Sequence, residues 1–391
     1  MRLLLWRRGR PSLAIAALVA CCSLLLATRI HASSSAASVL VGPYVTVAGP
    51  HQLTVRWETS SKVPTFLRWG ADPSCSETYE NPLPLRRHEV TLSRLEPGKA
   101  YWYTLAARGS AELAVPVRTQ PDGNAPLRIA VLGDSHSVFG AHPQNVAAIV
   151  AEKPDLLLHM GDFVLGQGES YLRDFFLVEG PILRSAPILP VLGNHDGNGK
   201  RFAQLFLPRQ DGKAPLYYSA RWGNVAVIAL DTNQSIAEKS TQWRWLSGTL
   251  AAFARDPAVT FKIVEMHWGP YDSGSKHGSN LKARACLVPL FERYGVDLVL
   301  SGHNHVYERG TVNRIKYVVT GGAGAGHGKW GLKRAIVLRS WWTEADNSAY
   351  HHCLVEIGGT TLHLTAREAE TGRVFDEFVV EKQPQVTGQL R

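Results

Sequence analysis

Five short runs of oxygen and imidazole donors stand along the chain, each at the end of an apolar stretch. Asp134 and His136 follow LRIAVLG, and Asp162 follows DLLLHMG. Asn194, His195 and Asp196 follow ILPVLG, His267 follows FKIVEM, and His303 and His305 follow VDLVLSG. Apolar runs of this length read as buried strands, and ligands gather outside the carboxyl ends of such strands. One Asp or His after a strand means little. Five such runs holding only oxygen and imidazole donors point to one shared metal site, because carboxylates and imidazoles buried together without a cation would be costly.

The order and content of the runs, D-x-H, G-D, G-N-H-D, a lone His and G-H-x-H, resemble the calcineurin-like metallophosphoesterase family over residues 126–345. GHNHVYER (302–309) and VTGGAG (319–324) resemble its purple acid phosphatase subgroup. The resemblance implies a dinuclear metal centre. Asp162 bridges, Asp134, His136 and His305 complete one site, and Asn194, His267 and His303 complete the other. His195 is then the general acid for the leaving oxygen, with Asp196 orienting it. Two ions about 3.5–4 Å apart would activate a water and hold the phosphoryl oxygens. The pairs Asp134/His136 and His303/His305 are two residues apart, so an extended backbone would put each pair on one face.

One departure changes the metal expectation. The subgroup has D-x-G in the first run and a Tyr ligand three residues after the second Asp. Here His136 replaces that Gly and Leu165 replaces that Tyr. An imidazole for a phenolate removes a negative charge. The expected ions are Fe, Mn or Zn, divalent or mixed-valence, without a purple charge-transfer band.

Softer candidates for substrate contact are Asn194, His277 in the loop after His267, and His327 in GGAGAGHGK. That glycine-rich segment is not a phosphate-binding P-loop, because Trp330 follows the Lys.

These runs need strands and helices to position them. Helical spacing appears at 143–152, 240–254 and 281–294, and period-two strands at the C-terminal end. Ahead of the turn-rich break at 120–124 lie short strands and the run L-x-P-G-x-x-Y-x-Y at 95–103, which resembles a fibronectin type III domain. The expected organisation is a leader over 1–32, a linker over 33–38, a fibronectin III-like all-β sandwich over 39–120, and an α/β metallophosphoesterase domain over 126–391. That last domain should hold two mixed β-sheets flanked by helices.

Composition bounds the rest. The 391 residues are 45% hydrophobic and 19% charged, ordinary for a globular protein. The net charge is +9, but Arg2, Arg7, Arg8, Arg10 and Arg29 supply five of those charges. No long basic run speaks for a nucleic-acid polymer. The apolar run Leu13–Leu26 behind the first arginines reads as an export signal, placing the protein in a secreted, periplasmic or cell-surface location. Cleavage near Ala32 is the favoured reading. Leu18-Val19-Ala20-Cys21 also fits a lipoprotein box, which would anchor a lipid on Cys21, and an uncleaved anchor is the third alternative. Cys75, Cys286 and Cys353 are odd in number and widely spaced, and read as small buried hydrophobes.

The expected function is hydrolysis of small phosphomonoesters. A phosphodiesterase acting on nucleotides or phospholipid head groups uses the same core and is the alternative. A silent binding protein would have lost ligands or His195, and neither is lost.

Overall fold

The computed structural model describes residues 37–106, 113–136, 141–164, 168–207, 215–273, 277–325 and 340–383. The leader with Cys21, as well as Leu165, Ser275 and His327, lie outside them.

From Val39 onward the chain forms one compact unit. Its first strands are β1 (Val39–Gly49), β2 (Gln52–Gly70), β3 (Glu77–Ser93), β4 (Ala100–Thr104) and β5 (Val115–Arg118). All their mutual pairings are antiparallel. Alternation buries Val45, Leu53, Val55, Trp57, Leu67, Val90 and Tyr103 in a small core of their own. The Tyr101 hydroxyl accepts the Glu96 N–H at 2.9 Å, closing the corner after Pro97-Gly98. LTVRWET and PTFLRWG lie on one long strand, β2, whose pairing with β3 shifts register between Glu58 and Thr65.

Two mixed sheets with helices follow, as expected. β6 (Leu127–Leu132), β7 (Leu156–His159) and β8 (Ile188–Pro190) are parallel to one another. In the second sheet β9 (Tyr218–Trp222) is antiparallel to β10 (Val225–Leu230), and β10, β11 (Phe261–Met266) and β12 (Leu298–Ser301) are parallel. β13 (Tyr307–Val312), β14 (Ile315–Thr320) and β15 (Thr343–Asn347) extend that sheet. The chain returns to the first sheet through β16 (His351–Gly358), β17 (Thr361–Glu368) and β18 (Val374–Glu381), an antiparallel run with β16 against β6. The core between the sheets is apolar, with Ile129, Val131, Leu158, Val227, Ile263, Leu300 and Val355 fully buried.

The first sheet continues into the N-terminal strands. Thr46 of β1 pairs with Ile188 of β8, so the turn-rich break at 120–124 does not interrupt it. Side chains reinforce the junction. Tyr44 Oη donates to Leu205 O at 2.8 Å, and Tyr103 Oη to Arg184 O at 2.8 Å. The Arg201 guanidinium meets both oxygens of Glu58 at 2.7 Å.

The described helices are α1 (Ala141–Glu152), α2 (Glu169–Leu183), α3 (Lys200–Phe206), α4 (Thr241–Arg255), α5 (Leu281–Cys286) and α6 (Val288–Tyr294). Ser240 caps α4 through its hydroxyl, which accepts the Trp243 N–H. The single helix expected over 281–294 is two, because Pro289 falls at the start of the second. α2 and α3 escape the periodicity reading. α2 carries Pro181 and Gly180 inside it, and α3 is only seven residues long. The three cysteines after the leader are free, with Cys75 and Cys353 buried. No helix among the described residues is long and apolar enough to cross a membrane.

Candidate metal centre

Each donor run leaves the carboxyl end of a parallel strand: β6, β7 and β8 in one sheet, β11 and β12 in the other. The loops therefore meet at one edge of the sandwich, where two sheets contribute donors to one spot. Backbone bonds lace them together. Asp134 N donates to Gly161 O at 3.0 Å and Gly302 N to His267 O at 2.9 Å.

The backbone at the donors is not extended. Asp134, His136, Asp162 and His303 have φ of 59°, 45°, 55° and 71°. The expectation that residues two apart share a strand face is thus replaced by tight left-handed loops, which turn the side chains inward. Such backbone costs about 1–3 kcal/mol per residue and persists where surrounding contacts enforce it. Glycines permit the close approach: a Cβ at Gly302 would overlap the Asp134 carboxylate, and one at Gly193 the Asp162 carboxylate.

Asp134, His136 and His305 offer one donor atom each within 4.8 Å of one another, as do Asp134, Asp162 and His267. His305 Nε2 lies 3.6 Å from Asp134 Oδ1, and His136 Nε2 lies 3.1 Å from Asp162 Oδ2. Asp162 is central, since its Oδ2 is also 3.4 Å from His267 Nε2. Its Oδ1 accepts the His195 N–H at 2.8 Å, while His303 N donates to Asp134 at 2.9 Å.

His267 tests whether these residues fit a metal. Its Nδ1 lies 2.7 Å from the Met160 carbonyl oxygen, to which it must donate. That fixes the tautomer and turns the Nε2 lone pair inward. There Nε2 meets Asn194 Oδ1 at 2.9 Å and His303 Nδ1 at 3.1 Å, besides the Asp162 carboxylate. Lone pairs crowd one point that a cation would satisfy. The ionisation balance agrees. Burial disfavours charge on His267, but the facing Asp162 and Asp134 carboxylates outweigh it and raise the imidazole to about 9, so a proton sits where a cation could. Burial also lifts Asp134 well above the ordinary carboxylate range, with Asp162 adding to it against the pull of His267. Burial would lift Asp162 too, yet His267 and His136 hold it far below that range. His136 is pushed down by burial and is a neutral donor.

The remaining candidates fall as follows. Asn194 and His195 stand at the open side of the centre. The His195 ring is 42% exposed with Nε2 4.0 Å from Asp162 Oδ2. Asp196 does not orient it. Its Oδ2 accepts the N–H groups of Asp162 and Gly193 at 2.8 Å, and its Oδ1 that of Phe163 at 2.9 Å. The His277 ring lies tilted against His303 with centroids 4.0 Å apart, and Trp268 lies tilted against the same imidazole at 5.2 Å. His327 lies outside the described residues. Sequence reasoning missed Ser135 and His159, whose Oγ and Nε2 are 3.0 Å apart beneath the first two loops. His159 Nδ1 accepts the Gly161 N–H, so the ring braces the turn into Asp162. The one signal was a histidine inside the apolar run before Gly161-Asp162.

Comparison with known proteins agrees with this geometry. The calcineurin-like phosphoesterase family model matches residues 127–307, which contain every candidate ligand. An uncharacterized protein of Mycobacterium tuberculosis is 27% identical over 268 residues, covering 58% of this chain and 51% of that protein. Human acid phosphatase type 7 is 28% identical over 311 residues, covering 66% of this chain and 68% of the relative. The chain thus spans about half the length (51%) of its mycobacterial relative. Among solved structures, purple acid phosphatase PPD1 from yellow lupin seeds superposes with a TM-score of 0.73 at 19% identity, covering 87% of this chain and 74% of that one, and so shares the fold. Residues 127–307 thus match the calcineurin-like phosphoesterase family with all five donor loops inside the match, and the similarity to acid phosphatase type 7 and to PPD1 supports the purple acid phosphatase-like subgroup.

Proposed function

We propose that the protein is an exported phosphatase that hydrolyses small phosphomonoesters at a dinuclear metal centre. The observation carrying this reading is the convergence on Asp162 of donors from both sheets: His136 at 3.1 Å and His267 at 3.4 Å from the same carboxylate oxygen. Asp134, His136 and His305 would hold one ion, Asn194, His267 and His303 the other, and Asp162 would bridge. Two divalent ions held there would supply an activated water and draw charge from the phosphoryl oxygens. Oxygen and imidazole donors without a thiolate suit Mn, Zn or Fe.

The chain's own residues do the rest. Asn194 brings a neutral oxygen, which limits the negative charge facing an anionic substrate. His195, exposed beside Asp162, can give its proton to the leaving oxygen. Asp196 holds the Asp162 loop by its backbone, and His277 buttresses His303.

The N-terminal strands fit a fibronectin III-like module over 39–120, on the strength of their separate core and the Tyr101–Glu96 corner. The arginine-led apolar run at the start supports export.

The deciding experiment compares p-nitrophenyl phosphate with bis-p-nitrophenyl phosphate on protein loaded with Mn, Zn or Fe, alongside Asp162→Asn. Preference for the monoester, with metal content and rate both collapsing in the variant, is expected. Preference for the diester would replace the reading by a phosphodiesterase. Unchanged metal content in the variant would remove the bridging role of Asp162.

A further inference from the structure

A cavity of about 510 Å³ opens beside the metal centre. Its floor is apolar: Phe163, Phe202 and Phe206 pack on one another, with Leu172 and Leu205 alongside. Asn194 and Asp196, the two chain neighbours of His195, form the wall toward the metal centre. Among the described residues of the lining the one cation, Arg201, is already engaged by both oxygens of Glu58 and by Glu169 at 2.9 Å. With two carboxylates against one guanidinium, the described lining has no unpaired positive charge to offer a second phosphate or a carboxylate.

We propose that this cavity is the subsite for the alcohol part of the substrate, and that it selects phosphate esters whose leaving group is uncharged and apolar. This rests on the phosphatase reading and on His195 facing the leaving oxygen. His195 is not itself in the lining, so a group leaving past it would enter the cavity across its chain neighbours Asn194 and Asp196. An apolar body there covers phenylalanine surface, whereas an anionic one meets Glu169 and an Arg201 already paired with Glu58. The volume is in the range of ordinary small-molecule sites and holds an aryl group or an alkyl chain of several carbons.

The test is a homologous series of n-alkylphosphonates, ethyl to hexyl, whose head group is constant and which are not hydrolysed. Their affinity for the metal-loaded protein is measured by calorimetry and by competition with p-nitrophenyl phosphate. Each methylene buried in the cavity is worth up to about fourfold, so hexyl is expected to bind at least about tenfold tighter than ethyl. Leu172→Trp, which fills the cavity, should reduce that ratio to near unity. If this variant fails to fold, the series on the unmodified protein still decides. A flat series in protein that hydrolyses p-nitrophenyl phosphate overturns the subsite and leaves the phosphatase reading standing. A rising series in metal-loaded protein without phosphatase activity supports the cavity as an apolar site and overturns the activity.

Discussion

Asp196 Oδ2 accepts the backbone N–H of Asp162 at 2.8 Å, so a residue beside the exposed His195 serves the carboxylate at the heart of the site. The same carboxylate takes the Gly193 and Phe163 amides. It therefore ties the loop after β7 to the loop after β8.

Asp196→Asn places an amide where an acceptor is needed and leaves at least one of these N–H groups without a partner. The expected cost is about 1–3 kcal/mol, read as a lower unfolding midpoint of metal-free protein, with weaker metal retention. Were Asp196 serving the imidazole instead, stability would hold and only slow substrates would suffer.

His267 links stability to pH in the metal-free protein. Its folded value of about 9 lies above the ordinary 6.5. A raised histidine stabilises fully below the unfolded value, and the contribution is lost as pH rises through the folded value. Metal-free protein should thus lose on the order of 3 kcal/mol between pH 6.5 and 9. Denaturant titrations at several pH values would show it, and His267→Asn should flatten the slope. Metal must displace that proton, so metal affinity should climb over the same interval.

His195→Ala should keep its metal, because the ring stands at the open side of the centre. The rate should fall about 10²–10⁴-fold on alkyl phosphates and much less on p-nitrophenyl phosphate, whose leaving group needs no proton. An equal fall on both substrates would remove the general-acid role.

Arg201→Met should loosen the N-terminal strands from the phosphoesterase body. The guanidinium is about one-fifth exposed, with its Glu58 partner similarly placed, so solvent screening limits the loss to about 1–3 kcal/mol. Calorimetry should show the single unfolding transition broadening or splitting. A sharp transition at an unchanged midpoint would mean that the β1–β8 pairing and Tyr44 hold the junction alone.

The donor loops were legible because every candidate ligand follows a buried apolar strand, a pattern set by local sequence. The Asp196 contacts were not, because an acid two residues from a metal ligand looks the same whether it faces a ring or a backbone amide. The sheet crossing 120–124 was hidden for a related reason. Thr46 and Ile188 pair across more than a hundred residues, and no local composition encodes that partnership. The left-handed backbone at Asp134, His136, Asp162 and His303 was equally invisible: Asp and His enter that region more readily than most residues, but too seldom for residue type alone to announce it.

That backbone sets the direction in which change is easy. Four candidate donors sit where a glycine would rest more comfortably, so replacing any of them with glycine would relieve local backbone strain while deleting a candidate ligand. Selection for mere persistence of the fold and selection for its chemistry therefore pull against each other at these positions.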